Sequence, residues 1–421
     1  MKIVKKFVSV TMLSGMLTFL RMLSGFIVSK VIAVYAGPSG LALLGQAQNL
    51  AAAFNGIVSA PLGNALIRYT AEHHERGFET CSPWWRSSIY WSCGLFIPLS
   101  IIILLFSNQI STLAFGNKPL TWFIIFGIFI APISAINVLI SSVLNGLQHY
   151  KKLMISGAVS VPIALICTIY LIVKYGTDGA LYSVLATSII TSIVMIASAF
   201  IFSSKWLRLK YWFGAVKSKE IKAVGGYVLM ALTSAICLPV SLMMVRNILV
   251  GHVGWNMAGQ WQAVYKISEM YLTIITMALS TFYFPRLSAL KNKDEIRREV
   301  FLIFKITMPI VIILASLVYF CRNLIIQIAF SYEFKAASDL FFVQLIGDVL
   351  KIASWLIAFP MLTRGAVKWF VSSEIIFSGL FVVLSQLMVS QFGAQGINMA
   401  YAINYALYLI FVYSNLSKFS A

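Results

Sequence analysis

The sequence predicts an all-α integral membrane protein with about twelve transmembrane helices. Three observations predict it. The 421 residues are 60% hydrophobic and only 11% charged, with a mean hydropathy of +0.89. Apolar runs of about 20 residues, the length needed to cross hydrocarbon, follow one another with short connections. Lys and Arg crowd alternate connections, as they do in multi-span proteins.

The spans fall near 8–35, 40–68, 87–107, 120–145, 153–173, 180–202, 223–250, 261–284, 301–320, 338–361, 369–390 and 397–414. The apolar run after "MKIVKKF" outlasts a 7–15-residue signal core and is expected to stay as span one. "YAGPSG", residues 35–40, makes a tight turn into span two, with Pro38 pre-set for it. Pro61, Pro98, Pro132, Pro162, Pro239, Pro309 and Pro360 lie within or beside spans, where each frees a backbone carbonyl and favours a kink. The longest polar interruption, "SSKWLRLKYWFGAVKSKEIK", covers 203–222 and splits the spans six and six. The expected organisation is therefore lobes at 1–202 and 223–421 joined by a cytoplasmic amphipathic linker. Trp206, Leu209, Phe213 and Val216 recur there at helical spacing, which suits a helix lying in the interface; a linker crossing the headgroup layer is the plainer alternative. "GQAQ" from Gly45 and "GQWQ" from Gly259 sit at corresponding points of the two halves, which points to an internal repeat.

The formal net charge of +19 reports topology rather than nucleic acid. On this segmentation 22 Lys/Arg lie on one side, only Lys118, Lys174, Arg322 and Lys335 on the other, and six within spans. The excess places both termini in the cytoplasm. The five cysteines are scattered without a CxxC, so they read as small apolar packing residues. His73, His74, His149 and His252 have no metal-ligand spacing, and no metal or cofactor is expected.

A charge at the centre of a bilayer costs about 2.5–3.5 kcal/mol on insertion scales, so charged residues within spans need a reason. In "VQLIGDVLKIASWL", residues 343–356, Gln344, Asp348 and Lys351 share one helix face at i, i+4 and i+7. Span eight repeats the pattern with signs reversed in Gln262, Lys266 and Glu269. Both stripes must face protein or water; they either line a cavity or form structural ion pairs. Span one adds Arg21 and Lys30, about 180° apart on a straight helix, so both line one cavity only if the helix bends. Lys30 could otherwise snorkel to the interface. Arg246 completes the set.

Uncharged stripes accompany these. Gln48 and Asn55 share a face of span two, and Asn137 and Asn145 a face of span four; Tyr401, Tyr405 and Tyr408 mark span twelve. Amides and hydroxyls match sugar hydroxyls, and tyrosine rings pack on sugar faces, so Gln48, Asn55, Asn137, Asn145, Gln262, Gln344, Tyr401 and Tyr405 are candidate sugar contacts. Helix–helix hydrogen bonding is the alternative for each. The candidate cavity cations Arg21, Lys30, Arg246, Lys266 and Lys351 outnumber the carboxylates Glu269 and Asp348. Such a cavity attracts a phosphate or pyrophosphate and repels a cationic drug.

"SKVIAVYAGPSGLALLGQ", "GQWQAVYKISEMYLTIIT", "FPRLSALKNKDEIRREV" and "EFKAASDLFFVQLIGDVLK" together resemble the Wzx-type lipid-linked oligosaccharide flippases of Gram-negative inner membranes. These are the O-antigen and enterobacterial common antigen translocases, and the resemblance spans nearly the whole chain. It implies a place in the multidrug/oligosaccharidyl-lipid/polysaccharide exporter superfamily, with a MATE-like fold of two six-helix lobes around a central cavity. It further implies, in the inner membrane, movement of undecaprenyl-pyrophosphate-linked O-antigen units to the periplasmic leaflet by alternating access. A common antigen lipid is the alternative cargo, and a cation antiporter of the same fold is a more distant one. Arg21, Lys30, Arg246, Asp348 and Lys351 match basic or acidic family positions, whereas Lys266 departs from a small polar residue. Arg21, Arg246 and Lys351, with Lys30 and Lys266, are then expected at the pyrophosphate. Asp348 and Glu269 are expected to couple to a proton or cation. The implied partners are the lipid-linked sugar, membrane lipids, and polymerase and chain-length proteins. No Walker-type glycine loop is present, and no enzymatic chemistry is expected.

Overall fold

In hydrocarbon a backbone segment satisfies its own polar groups by forming helix, and helix dominates the computed structural model, which describes residues 2–116, 120–201, 205–216, 218–279, 283–290 and 292–419. The helices are α1 (Lys2–Tyr35), α2 (Gly37–Ser59), α3 (Asn64–His73), α4 (Phe78–Leu105), α5 (Ser107–Phe115), α6 (Thr121–Gly146) and α7 (Tyr150–Ile201). They continue as α8 (Ser218–Ala278), α9 (Phe284–Ala289), α10 (Lys293–Ala329), α11 (Phe341–Thr363), α12 (Val367–Phe392) and α13 (Ala394–Phe419). No strand occurs among the described residues.

Among the described residues ten stretches are long and apolar enough to cross a membrane. Two of them, α7 and α8, break at Gly176 (φ 57°) and Gly254 (φ 81°), so each supplies two crossings. Left-handed backbone costs an L-residue about 1–2 kcal/mol, which is why glycine stands at both turns. Ten stretches with two doubled make the twelve spans read from the sequence. Span two is interrupted as Pro61 suggested: a 3₁₀ turn over Ala60–Leu62 separates α2 from α3. The short helix α5 was not expected. Lys118, Lys217 and Lys291 of the charge count lie outside the described residues.

Packing groups the helices into two compact units, Met1–Val28 with Gln46–Val240 and Ser29–Gly45 with Ser241–Ala421. The lobes expected at 1–202 and 223–421 follow chain order. The packing differs by trading two segments: 223–240 stay with the first unit, and 29–45 join the second.

In the first unit the described part of the segment after α7 does not form an interfacial helix, the less plain of the two readings of its sequence. Its described part is two 3₁₀ turns, Lys205–Leu207 and Leu209–Tyr211, docked on α4. Trp206 and Trp212 are buried, while Leu209 and Phe213 are 72% and 67% exposed. Trp212 stacks on Trp85 at 4.6 Å and its Nε1 donates to the Trp206 carbonyl at 2.9 Å. Arg86 donates to the Lys210 carbonyl at 2.6 Å, and Ser82 to that of Tyr211. Two large indoles buried by turns outweigh the helical stripe. Glu79, 3.0 Å from the Lys210 ammonium, and then Tyr211 raise the Lys210 pKa, so the lysine stays protonated.

The repeated GQxQ motif has a structural counterpart in each unit. Gln46 Nε2 donates to the Ala114 carbonyl at the end of α5 (2.7 Å), on the connection between spans three and four. Gln260 Nε2 donates to the Glu333 carbonyl (2.7 Å) and its Oε1 accepts from Ala337 N–H (3.0 Å), on the connection between spans nine and ten. The first glutamine of each copy ties down the equivalent connection of its own half.

Candidate functional site

Four helical segments of the second unit bring most of the predicted charges together. The part of α8 before Gly254 carries Arg246, and the part after it carries Trp261, Gln262, Tyr265, Lys266 and Glu269. α11 carries Gln344, Asp348, Lys351 and Trp355, and α13 carries Tyr401 and Tyr405.

Asp348 is fully buried. Its Oδ2 accepts from the Tyr271 hydroxyl at 2.7 Å, and its Oδ1 from Gln344 Nε2 at 3.1 Å and the Tyr401 hydroxyl at 3.0 Å. Gly347 makes this shell possible: a Cβ there would lie 2.3 Å from the Tyr401 ring, so only glycine lets α13 approach α11 closely enough. Three donors to one carboxylate suit its ionised form.

Lys351 does not pair with Asp348. Among the described residues the ion pairs are Arg68–Glu72, Lys210–Glu79 and Arg286–Glu299, none in this cluster. Its ammonium instead lies 4.9 Å from the Trp355 ring centroid, 5.8 Å from that of Tyr401 and 5.7 Å from that of Tyr405. Ring faces hold a cation by their quadrupole without neutralising it. Arg246 is 1% exposed and is held in the same manner, 5.5 Å over Trp261, with Nη2 donating to Gln262 Oε1 at 2.5 Å. Gly45 leaves the space for that glutamine, since a Cβ there would sit 2.7 Å from Gln262 Cδ. Lys266 is half-buried and Glu269 exposed.

Several expectations need correction. Lys30 neither snorkels nor faces the cluster: its ammonium donates to the carbonyls of Gln327 (3.1 Å) and Phe330 at the end of α10. Those carbonyls lack helical partners and carry the negative end of the helix dipole, which a lysine satisfies. Gln262, Gln344 and Tyr401, expected at sugar hydroxyls, are buried and engaged by Arg246 and Asp348. They orient charge rather than stand open to a ligand. Tyr405 is half-buried, edge-on to Tyr401 at 4.9 Å.

Arg21, Gln48, Asn55, Asn137 and Asn145 belong to the first unit. Arg21 and Gln48 are exposed and the three asparagines half-buried. Asn137 accepts from Ser141 within its own helix, at its carbonyl (2.8 Å) and Oδ1 (3.3 Å). Sequence reasoning missed Tyr271, Trp261 and Trp355. Trp355 was findable, four residues past Lys351 on the same face. Tyr271 lies off its helix's polar stripe, and no sequence signal marks it.

The profile of the polysaccharide biosynthesis protein family matches residues 4–291, well over half of the chain. The chain belongs to that family. It is 26% identical over 392 residues to proteins described as lipid III flippases in Escherichia coli (strain K12) and Shigella flexneri, covering 93% of each chain. Its fold is similar to that of a multidrug resistance MATE family transporter of the MOP superfamily in the inward-facing conformation. The TM-score there is 0.78 at 14% identity, over 98% of both chains. A MOP superfamily transporter from Pyrococcus furiosus, described as having a binding pocket of reverse polarity, matches with a TM-score of 0.68 at 14% identity. That match covers 99% of this chain and 96% of the other. The likeness to these two shows the fold alone, and the MATE-like all-α architecture expected from the sequence stands.

Proposed function

We propose that this protein is a membrane flippase for undecaprenyl-pyrophosphate-linked oligosaccharide, acting by alternating access without covalent chemistry. The observation that carries the reading is the second unit's cluster, in which Arg246 lies over the Trp261 ring and donates to the Gln262 amide while Lys351 lies among the rings of Trp355, Tyr401 and Tyr405. Cations fixed in position attract an anion strongly where the dielectric is low. Lys266 of the same unit adds to the positive set. The two flippase relatives over 93% of the chain support a lipid-linked cargo. The same sign of charge disfavours a multidrug/cation antiporter.

Asp348 supports coupling to a proton in preference to a metal ion. Its three neighbours present N–H and O–H groups, whereas a metal site needs converging oxygens. Protonating Asp348 turns one oxygen into a donor, so one of Tyr271, Tyr401 and Gln344 must turn to accept. That rearrangement links α8, α11 and α13. An O-antigen repeat unit is the cargo we favour, because Lys266 departs from the small polar residue expected in a common antigen translocase. The Lys/Arg bias supports a topology with both termini in the cytoplasm.

The test is complementation of a strain lacking its O-antigen flippase. Wild type restores surface polysaccharide; Arg246→Ala and Lys351→Ala abolish it at unchanged protein level. Full export by both variants overturns the anion site. Restoration of common antigen but not O-antigen overturns the choice of cargo.

A further inference from the structure

A second concavity lies apart from the polar cluster, between α10 and α11, and encloses about 230 Å³. α10 lines it with Ile312, Ala315 and Tyr319, and α11 with Phe342, Ile346 and Val349. Each set recurs every three or four residues, so each is one stripe of its helix. The small Ala315 between larger neighbours is what opens the space. Ile312, Phe342 and Ile346 are 49%, 57% and 43% exposed, as expected of surface that hydrocarbon covers in a span.

Both stripes continue beyond the groove at the same end, where the helices are joined, and there they turn polar. Three residues past Tyr319 stands Arg322. Its guanidinium lies 4.3 Å from the Tyr319 ring centroid, and Nη1 donates to the Tyr319 carbonyl at 2.9 Å. One ring thus ends the groove and supports the cation. Three residues before Phe342 stands Asp339, exposed on the 3₁₀ segment Tyr332–Leu340 that runs directly into α11. Among the described residues Arg322 and Asp339 form no ion pair, with each other or with a third residue.

We propose that the groove binds one zwitterionic phospholipid with a primary ammonium, of the phosphatidylethanolamine class. A hydrocarbon chain fills the groove, the phosphate meets the Arg322 fork, and the ammonium meets Asp339. Guanidinium matches phosphate oxygens in geometry, and an ammonium offers a carboxylate three donors. Opposite charges heading two walls of an apolar slot, without pairing, match a headgroup that carries both. The site is independent of the cargo. It sits on the helix that bears Asp348 and Lys351, so an occupant would brace that helix.

The test is native mass spectrometry of the full-length, delipidated protein titrated with phosphatidylethanolamine, phosphatidylglycerol or phosphatidylcholine of identical chains. One phosphatidylethanolamine should be retained about ten-fold more strongly than the other two, since each lacks the ammonium–carboxylate bonds. Asp339→Asn and the groove-filling Ile346→Trp should each remove that preference, and Arg322→Gln should weaken retention of all three lipids; Arg297→Gln, at the other end of α10, should do neither. Ala315→Leu fills the groove from the opposite wall should Ile346→Trp fail to accumulate. Equal retention of all three lipids, indifferent to the variants, would mean ordinary boundary lipid and overturn the site. A preference for phosphatidylglycerol would remove Asp339 from it and overturn the zwitterion assignment. Displacement by undecaprenyl phosphate at equal concentration would give the groove to the carrier lipid instead.

Discussion

Exchanging the two charges of α11, Asp348→Lys with Lys351→Asp, distinguishes an interchangeable ion pair from two sites each built for one sign. The sequence alone leads to the expectation that the exchanged protein accumulates normally and fails only in export. The structure changes that expectation. An ammonium at 348 would enter a fully buried position whose three neighbours now donate, and a carboxylate at 351 would meet the negative faces of Trp355, Tyr401 and Tyr405. Hydroxyls and an amide can turn oxygen toward an ammonium, so the first conflict is partly relieved; ring faces offer a carboxylate nothing. A buried charge without its partners costs about 3–5 kcal/mol, and the lost cation–π contacts add about 0.5–2 kcal/mol. Against an ordinary stability of about 5–15 kcal/mol this is severe. Asp348→Asn keeps the shape and still accepts, and should cost only about 1–3 kcal/mol. Membrane immunoblots and thermal unfolding of the purified protein measure both. The exchanged variant should fall well below Asp348→Asn in each. Equal abundance and unfolding temperature, with export intact, would refute the two-site argument.

Three further outcomes follow from the geometry. Gly259→Ala places a Cβ 1.9 Å from the Pro38 carbonyl, backbone against backbone, and should destabilise by about 1–3 kcal/mol or more. Gly251→Ala, with open space around it, should be neutral or slightly stabilising in the same unfolding assay. Lys30→Met should lower stability by about 1.5–3 kcal/mol through the lost bonds to Gln327 and Phe330, with export falling only in proportion to folded protein; normal stability without export would return Lys30 to the ligand site. Single cysteines at 205–216 should react only with reagent on the cytoplasmic side, and those at 251–255 only from outside; the reverse at either place breaks the topology.

The spans were legible because membrane helices announce themselves by length and apolarity, requirements local to each segment. Ion-pair geometry was not. Asp348 and Lys351 share a face at i, i+3, yet besides Gln344 and Trp355 of their own helix their side chains settle on groups from α8 and α13, partners that no spacing within α11 encodes. Lys30 illustrates the same limit: its place at the end of α10 depends on where residue 327 lies in space, 297 positions along the chain. The helical alternative for the linker failed for a different reason. Its stripe was genuine, but Trp206 and Trp212 bury against Trp85, and burial of indoles overrides that periodicity.

The GQxQ repeat shows how one half acquired the charge. Its first glutamine does the same work in both copies, fastening the connection between the third and fourth spans of its half. The second diverges: Gln48 is exposed, whereas Gln262 is buried and accepts from Arg246. Beside it, Ala47 of one copy is Trp261 of the other, the ring beneath that same guanidinium. A single residue difference within the four-residue motif, with the second glutamine turned inward, therefore separates a structural fastening from a fastening that also seats a cation. Returning the second copy to the first by Trp261→Ala, and adding Gln262→Leu to remove the acceptor, should leave Gln260 and its connection in place while Arg246 loses the ring and the amide. Such a protein should fold with its connection intact, yet export as poorly as Arg246→Ala. Export at the wild-type level would mean that Arg246 needs neither neighbour to act, and that the divergence between the two copies has no bearing on the cargo.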